Sequence, residues 1–278
     1  MSRMAQVHKF KIDPGSRAKL AQIDPGFKGH HADHEAAAEE IGHYNERLRA
    51  LQDLLYAERR RSLLICLQAM DTGGKDGVIN HVLAAMNPQG CRVAHFRQPT
   101  AEESAHDFLW RAHRAVPACG EVVIFNRSHY EDVLAVRVHD LVPKEVWSAR
   151  YDQINQFERV LTDSGTLILK FYLHISSEEQ LSRFKERLED PSKQWKISEA
   201  DYAERKHWPE YMAAYEDALT RCSTPYAPWF VIPSIHKWFR NLAVARIVVE
   251  YLEALHLKYP KATADLAHIR REYHAAAK

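Results

Sequence analysis

Three glycines, two carboxylates and a lysine fall within the seven residues Asp71-Thr72-Gly73-Gly74-Lys75-Asp76-Gly77. Glycines let backbone amides close around phosphate oxygens, a helix start adds positive potential, and a lysine supplies a mobile charge. Thr72, Gly73, Gly74, Lys75, Asp76 and Gly77 are therefore candidate phosphate contacts. The strict pattern G-x-x-x-x-G-K-[ST] is not met: Ala69 stands at the first glycine and Asp76 at the Ser or Thr. That departure is informative, because carboxylates repel phosphates unless a divalent cation stands between them. The loop predicts bound Mg2+, with Mn2+ the alternative, and Asp71 as its ligand because it precedes the glycines. The bland competitor is a glycine-rich turn whose lysine is merely solvated.

A second polar cluster, Asn126-Arg127-Ser128-His129-Tyr130-Glu131-Asp132, follows the apolar run 121–125. The planar fork of Arg127 suits charge spread over phosphoryl oxygens. Glu131 or Asp132 would join the metal shell directly or through water, although any polar strand end looks much the same. Asn126, Arg127, Glu131 and Asp132 are the candidate nucleotide contacts. Arg97 leaves the run 92–96 toward the same edge, and Arg111 follows on the next helix; both are candidate phosphate contacts, whereas Arg114 reads as plain surface charge. The densest basic stretch, 182–205, holds Arg183, Lys185, Arg187, Lys193, Lys196 and Arg205, broken at Pro191. Arg183 and Arg187, four residues apart, share one helix face. Such a broken basic hairpin reads as a lid that excludes water and brings arginines to a transferring phosphoryl group, with Lys196 a further phosphate contact. A solvated, ion-paired helix is the alternative. His30, His31, Asp33 and His34 lie ahead of a helix with no cysteine beside them, so zinc is not expected and Asp33 reads as an N-cap.

Elements that can position these groups are visible as short apolar runs at 63–67, 92–96, 122–125, 167–173 and 229–232. Helical patterns occupy 33–61, 77–86, 102–115, 144–163, 177–189, 198–221 and 238–257, followed by a charged tail. Continuous apolar strands alternating with helices predict an α/β fold with a five-stranded parallel sheet covered on both faces. Ligands of such sheets bind at the carboxyl ends of the strands, near the reversal of strand order. Strands one and three would then deliver Lys75 and Arg127 to one crevice. One domain over 1–278 is expected, with an N-terminal arm at 1–32 and a lid at about 182–206.

The 278 residues carry 38 Lys plus Arg against 37 Asp plus Glu, so bulk charge attracts neither nucleic acid nor membrane, and any anion site must arise from local clustering. No run approaches the roughly 20 apolar residues that span a bilayer, and the basic first 19 residues lack the apolar core of a signal peptide. Cys66, Cys91, Cys119 and Cys222 show no CxxC spacing and read as reduced, buried thiols of a cytoplasmic protein.

Taken together, five segments resemble the polyphosphate kinase 2 family: 67–77, Asn87-Pro88-Gln89-Gly90, His106-Asp107-Phe108-Leu109-Trp110-Arg111, 125–132 and 187–196. The likeness runs from about Lys9 to Leu257. It implies a P-loop kinase core, a helical lid, magnesium, and polyphosphate in a basic channel opposite the nucleotide. The Walker A equivalent maps to Gly73, Gly74, Lys75 and the metal-binding Asp71, the second motif to Asn126 and Arg127, and the lid arginines to Arg183 and Arg187. Asn126 in place of the Asp of many members resembles the class III subgroup, which accepts AMP and ADP. The expected activity is Mg-dependent phosphoryl transfer between inorganic polyphosphate and adenine nucleotides, with guanine nucleotides a possible extension. Asp71, Lys75, Arg127, Arg183 and Arg187 would be its catalytic groups, and a homo-oligomer its expected state. The rivals are an ATP-dependent nucleoside monophosphate kinase and a non-catalytic polyphosphate-binding module.

Overall fold

The computed structural model describes residues 9–277; the first eight residues of the predicted arm lie outside the described residues. Five strands, β1 (Ser62–Gln68), β2 (Cys91–His95), β3 (Val122–Asn126), β4 (Thr166–His174) and β5 (Trp229–Pro233), form one sheet in the order β2-β3-β1-β4-β5. Every pairing is parallel, with Leu67 opposite Asn126 on one side and Gln68 opposite Tyr172 on the other. β1, β3 and β5 are buried along their whole length, which is why they read as continuous apolar runs rather than alternating ones.

Helices cover both faces. On one lie α1 (Ala38–Glu58), α2 (Lys75–Ala84) and α7 (Lys237–Glu253), with α7 packed against the other two. The opposite face carries α3 (Lys144–Asp163) and α6 (Trp208–Cys222). α3 turns Tyr151, Ile154, Phe157 and Leu161 to the core, a stripe at helical spacing. Between them, α4 (Ser177–Glu189) and α5 (Glu199–Arg205) flank a 3-10 turn at Gln194–Lys196 and make up the basic hairpin.

Three helical expectations need correction. The run 102–115 is two short helices, Ala101–Ser104 and Trp110–Ala115, separated where the Asp107 carboxylate accepts the Leu109 N–H and starts a new turn. The run 198–221 breaks at His207, because Pro209 at the start of α6 has no N–H to continue the preceding helix. The tail holds α8 (Leu266–Ala276), capped by Asp265 on the Ala267 and His268 amides. Asp33 accepts from Ala36 in the turn before α1, whose own N-cap is Ala37. The thiols also differ from expectation: Cys66 and Cys222 are buried, but Cys91 is only half-buried on an edge strand and Cys119 is exposed.

The described part of the arm adds to the free edge of β5. Ile12 donates to Trp229 O at 2.9 Å and Val231 to Phe10 O at 2.8 Å. Ala18 and Leu20 are buried, their amides held by Thr220 and Glu216 of α6. Among the described residues no helix is long and apolar enough to cross a membrane.

Candidate active site

β1 ends at Gln68 and α2 begins at Lys75, so the glycine loop is the whole connection between a buried strand and a helix N-terminus. β3 is the neighbour of β1, and Arg127 is the first residue beyond it. The order of the sheet thus reverses between these two strands, and the crevice there opens into a cavity of about 840 Å³. Its walls carry Asp71, Thr72, Gly74, Lys75, Asp76, Gly77, Asn126 and Arg127 from the two strand ends. Arg183, Arg187 and Lys196 come from the basic hairpin, and Arg97 from the exit of β2.

The loop is held in a demanding conformation. Thr72 (φ +65°), Gly74 (φ +102°) and Arg127 (φ +58°) all lie at positive φ, unusual for the two that carry side chains. Gly73 donates its N–H to Met70 O at 2.9 Å, and the Lys75 ammonium donates to Ala69 O at 3.1 Å across the turn. Gly73 is also buried so tightly that a Cβ would press on Ala69 and Met70. Gly74→Ala is expected to lower the urea midpoint by an amount equivalent to at least about 1–2 kcal/mol, the cost of a side chain at positive φ. An unchanged midpoint would show that the loop relaxes freely.

Charges meet at close range here. Arg127 donates to the Asp71 carboxylate at 2.9 Å, and the Asn126 amide donates to Asp76 at 3.0 Å. Burial works against the charge on Arg127, but Glu131 and Asp71 outweigh it and raise its pKa. Burial lowers the pKa of Lys75, and the nearby Arg127 lowers it further. Burial raises that of Glu131 against the pull of Arg127 and Lys75. An arriving polyanion would satisfy both cations.

Some expected contacts lie elsewhere. Arg111 and Asp132 do not line the cavity: Arg111 donates to Asp132 at 3.2 Å and to Arg97 O at 2.8 Å, while Arg150 grips the other carboxylate oxygen of Asp132 at 3.3 Å. This largely buried triad ties β2's exit to α3. Glu131 sits behind the wall, accepting from Gln68 at 3.2 Å. Arg183 reaches the cavity with most of its donors already committed, to Glu179 Oε1 (2.7 Å), Thr72 O (2.8 Å) and Ser234 O (2.6 Å). It therefore braces the loop. Arg187 is freer, with one bond to Lys196 O at 2.8 Å. His30, His31 and Glu40 do cluster, but Glu40 is already bound by His31 at 2.7 Å and by Arg246.

The lining residue that matters most among those the sequence reading missed is a buried arginine. Arg240, in the first turn of α7, lies against Gly74 and Gly77. The only signal was a basic pair, Lys237 and Arg240, opening a helix that follows a strand.

Comparison with known proteins agrees with the geometry. The family model described as polyphosphate kinase 2 matches residues 31–260. A Meiothermus ruber protein named AMP/ADP-polyphosphate phosphotransferase is 51% identical over 257 residues, spanning 91% of this chain and 95% of its own. An ADP-polyphosphate phosphotransferase of Rhodopseudomonas palustris is 42% identical over 271 residues, 92% of each chain. The crystal structure of a polyphosphate kinase 2 from Arthrobacter aurescens TC1 superposes with a TM-score of 0.92 at 42% identity, covering 98% of this chain and 96% of that one.

Proposed function

Because the chain belongs to the polyphosphate kinase 2 family, we propose that it moves a phosphoryl group between inorganic polyphosphate and AMP or ADP. The observation that carries this reading is one cavity in which a strand-to-helix glycine loop, Lys75, Arg127 and the hairpin's Arg187 and Lys196 face each other. Donor and acceptor are both phosphates, whose oxygens are largely ionised at neutral pH. No strong general base is needed; positioning and charge neutralisation supply the catalysis. The loop amides and Lys75 hold the transferring group, and Arg127 spans the oxygens on either side of it. Arg187 and Lys196 approach from the hairpin, which acts as the lid. Arg183 acts through the loop by fixing the Thr72 carbonyl.

Asp71 and Asp76 fit magnesium: both are hard oxygen donors on the cavity wall, and Mg2+ is commonly held by one or two carboxylates plus substrate phosphates. When bound, the ion supplies charge neutralisation between the two polyanions. The phosphate contacts named here are the same for any nucleotide, so GMP and GDP fall within the same reading.

The test offers AMP or ADP with polyphosphate and Mg2+ in the absence of ATP. ADP and ATP are expected as products, respectively. If phosphorylation of AMP instead needs ATP as donor, the monophosphate-kinase reading replaces this one. Binding of polyphosphate with no Mg-dependent product would leave only a binding module.

A further inference from the structure

Resting on that reading, a further phosphate ligand can be identified from a charge the protein leaves uncompensated. Arg240 is 3% exposed, yet no carboxylate among the described residues pairs with it. Its Nε and Nη2 both donate to the side-chain oxygen of its own neighbour Asn241, at 3.1 and 2.9 Å. Nη1 donates to no described residue. Burial, and repulsion from the cation Arg183, lower the Arg240 pKa to about 10, so the group stays protonated at neutral pH under an electrostatic penalty. Buried charges without a partner are costly and persist where something in the functional state compensates them.

The glycine loop is shaped around this guanidinium. A Cβ on Gly74 would overlap Nη1 and one on Gly77 would overlap Nη2, so both positions need glycine for the arginine to reach the loop at all. The contact is not a hydrogen bond to the loop, which separates Arg240 from Arg183: the latter spends its donors on Glu179 and on backbone carbonyls, whereas the former lines the cavity with Nη1 set against Gly74 and bonded to no described residue.

We propose that Arg240 is a direct phosphate ligand: its Nη1 takes an oxygen of the phosphate seated on the glycine loop, making a third cation there beside Lys75 and Arg127. The asparagine at 241 holds the fork in orientation, and the glycines at 74 and 77 let it approach. A guanidinium that merely propped the loop would have no use for an unspent donor.

Binding of inorganic tripolyphosphate, measured by calorimetry without nucleotide at fixed Mg2+, separates these roles. Arg240→Gln is expected to weaken it about 10–100-fold, as for a lost charge-assisted hydrogen bond, with the unliganded unfolding temperature little changed. Arg240→Lys keeps the charge but not the reach, and an intermediate loss is expected. Wild-type affinity in folded Arg240→Gln, or in Arg240→Lys if only that variant folds, overturns the assignment while leaving the proposed function standing. If the unsubstituted protein takes up no tripolyphosphate, the polyphosphate reading falls and this assignment with it.

Discussion

Asp71→Asn is expected to lower turnover at saturating substrates by about a thousand-fold or more, equivalent to roughly 4 kcal/mol of transition-state stabilisation, with the unfolding temperature unchanged. The substitution isolates charge. Asparagine keeps an oxygen that can accept from Arg127, as the carboxylate does at 2.9 Å, so the arginine need not move. What disappears is the negative charge that draws a cation between two polyanions. Stopped assays across a Mg2+ or Mn2+ titration check it: raising either metal should recover little. Turnover within about tenfold of wild type would remove the metal role from Asp71. Asp76 would then be the remaining loop carboxylate, although its pairing with Asn126 already commits one oxygen.

The glycine loop and the strand-three exit were legible because their chemistry is local. A strand, a turn and a helix start within a dozen residues state both the geometry and the ligand class. That they share a crevice followed from an expected parallel sheet, and the strand order brings β1 beside β3. The failures were non-local. Whether Arg111 or Arg97 faces the cavity depends on Asp132, which draws Arg111 aside from 21 residues further along the chain and is itself held by Arg150, 39 residues beyond Arg111. The loop-bracing role of Arg183 depends on Thr72, Ser234 and Ile235, none of which its own helix can specify. Arg240 reaches Gly74 only because α7 packs across α2, a contact that no periodicity in either helix announces. The missed helix breaks are of another kind: Pro209 one residue inside a helix start, and Asp265 ahead of α8, are ordinary local signals.

Lys170→Met is expected to destabilise the fold by about 3–5 kcal/mol, the cost of stranding one member of a buried ion pair, and so to lower the unfolding temperature by roughly 10 °C. Lys170 of β4 and Glu158 of α3 are fully buried, with Nζ on Oε2 at 2.5 Å. The lysine also donates to the Tyr130 hydroxyl (2.8 Å) and to Cys222 O (2.6 Å), while Tyr130 and His129 both bond Glu158 Oε1. This cluster therefore anchors the segment immediately after Arg127, and its loss should reach the site as well as the core. Burial alone would raise the Glu158 pKa, but Lys170 and His129 outweigh it and hold the carboxyl below its ordinary 4.5. A depressed carboxylate contributes stability that is fully present above its unfolded value and is lost as pH falls through the folded one. In Lys170→Met burial dominates, Glu158 takes up a proton more readily, and the penalty relaxes in acid. The gap in unfolding temperature between wild type and variant should thus be widest near neutrality, begin to narrow above pH 4.5 as the raised Glu158 of the variant protonates, and narrow further below 4.5 as the depressed Glu158 of the wild type does. The double replacement Lys170→Met/Glu158→Leu should recover much of the loss, because a buried pair exchanged for apolar groups strands no charge. A gap independent of pH, or a double variant no better than the single one, would mean that Lys170 contributes packing volume and its charge nothing.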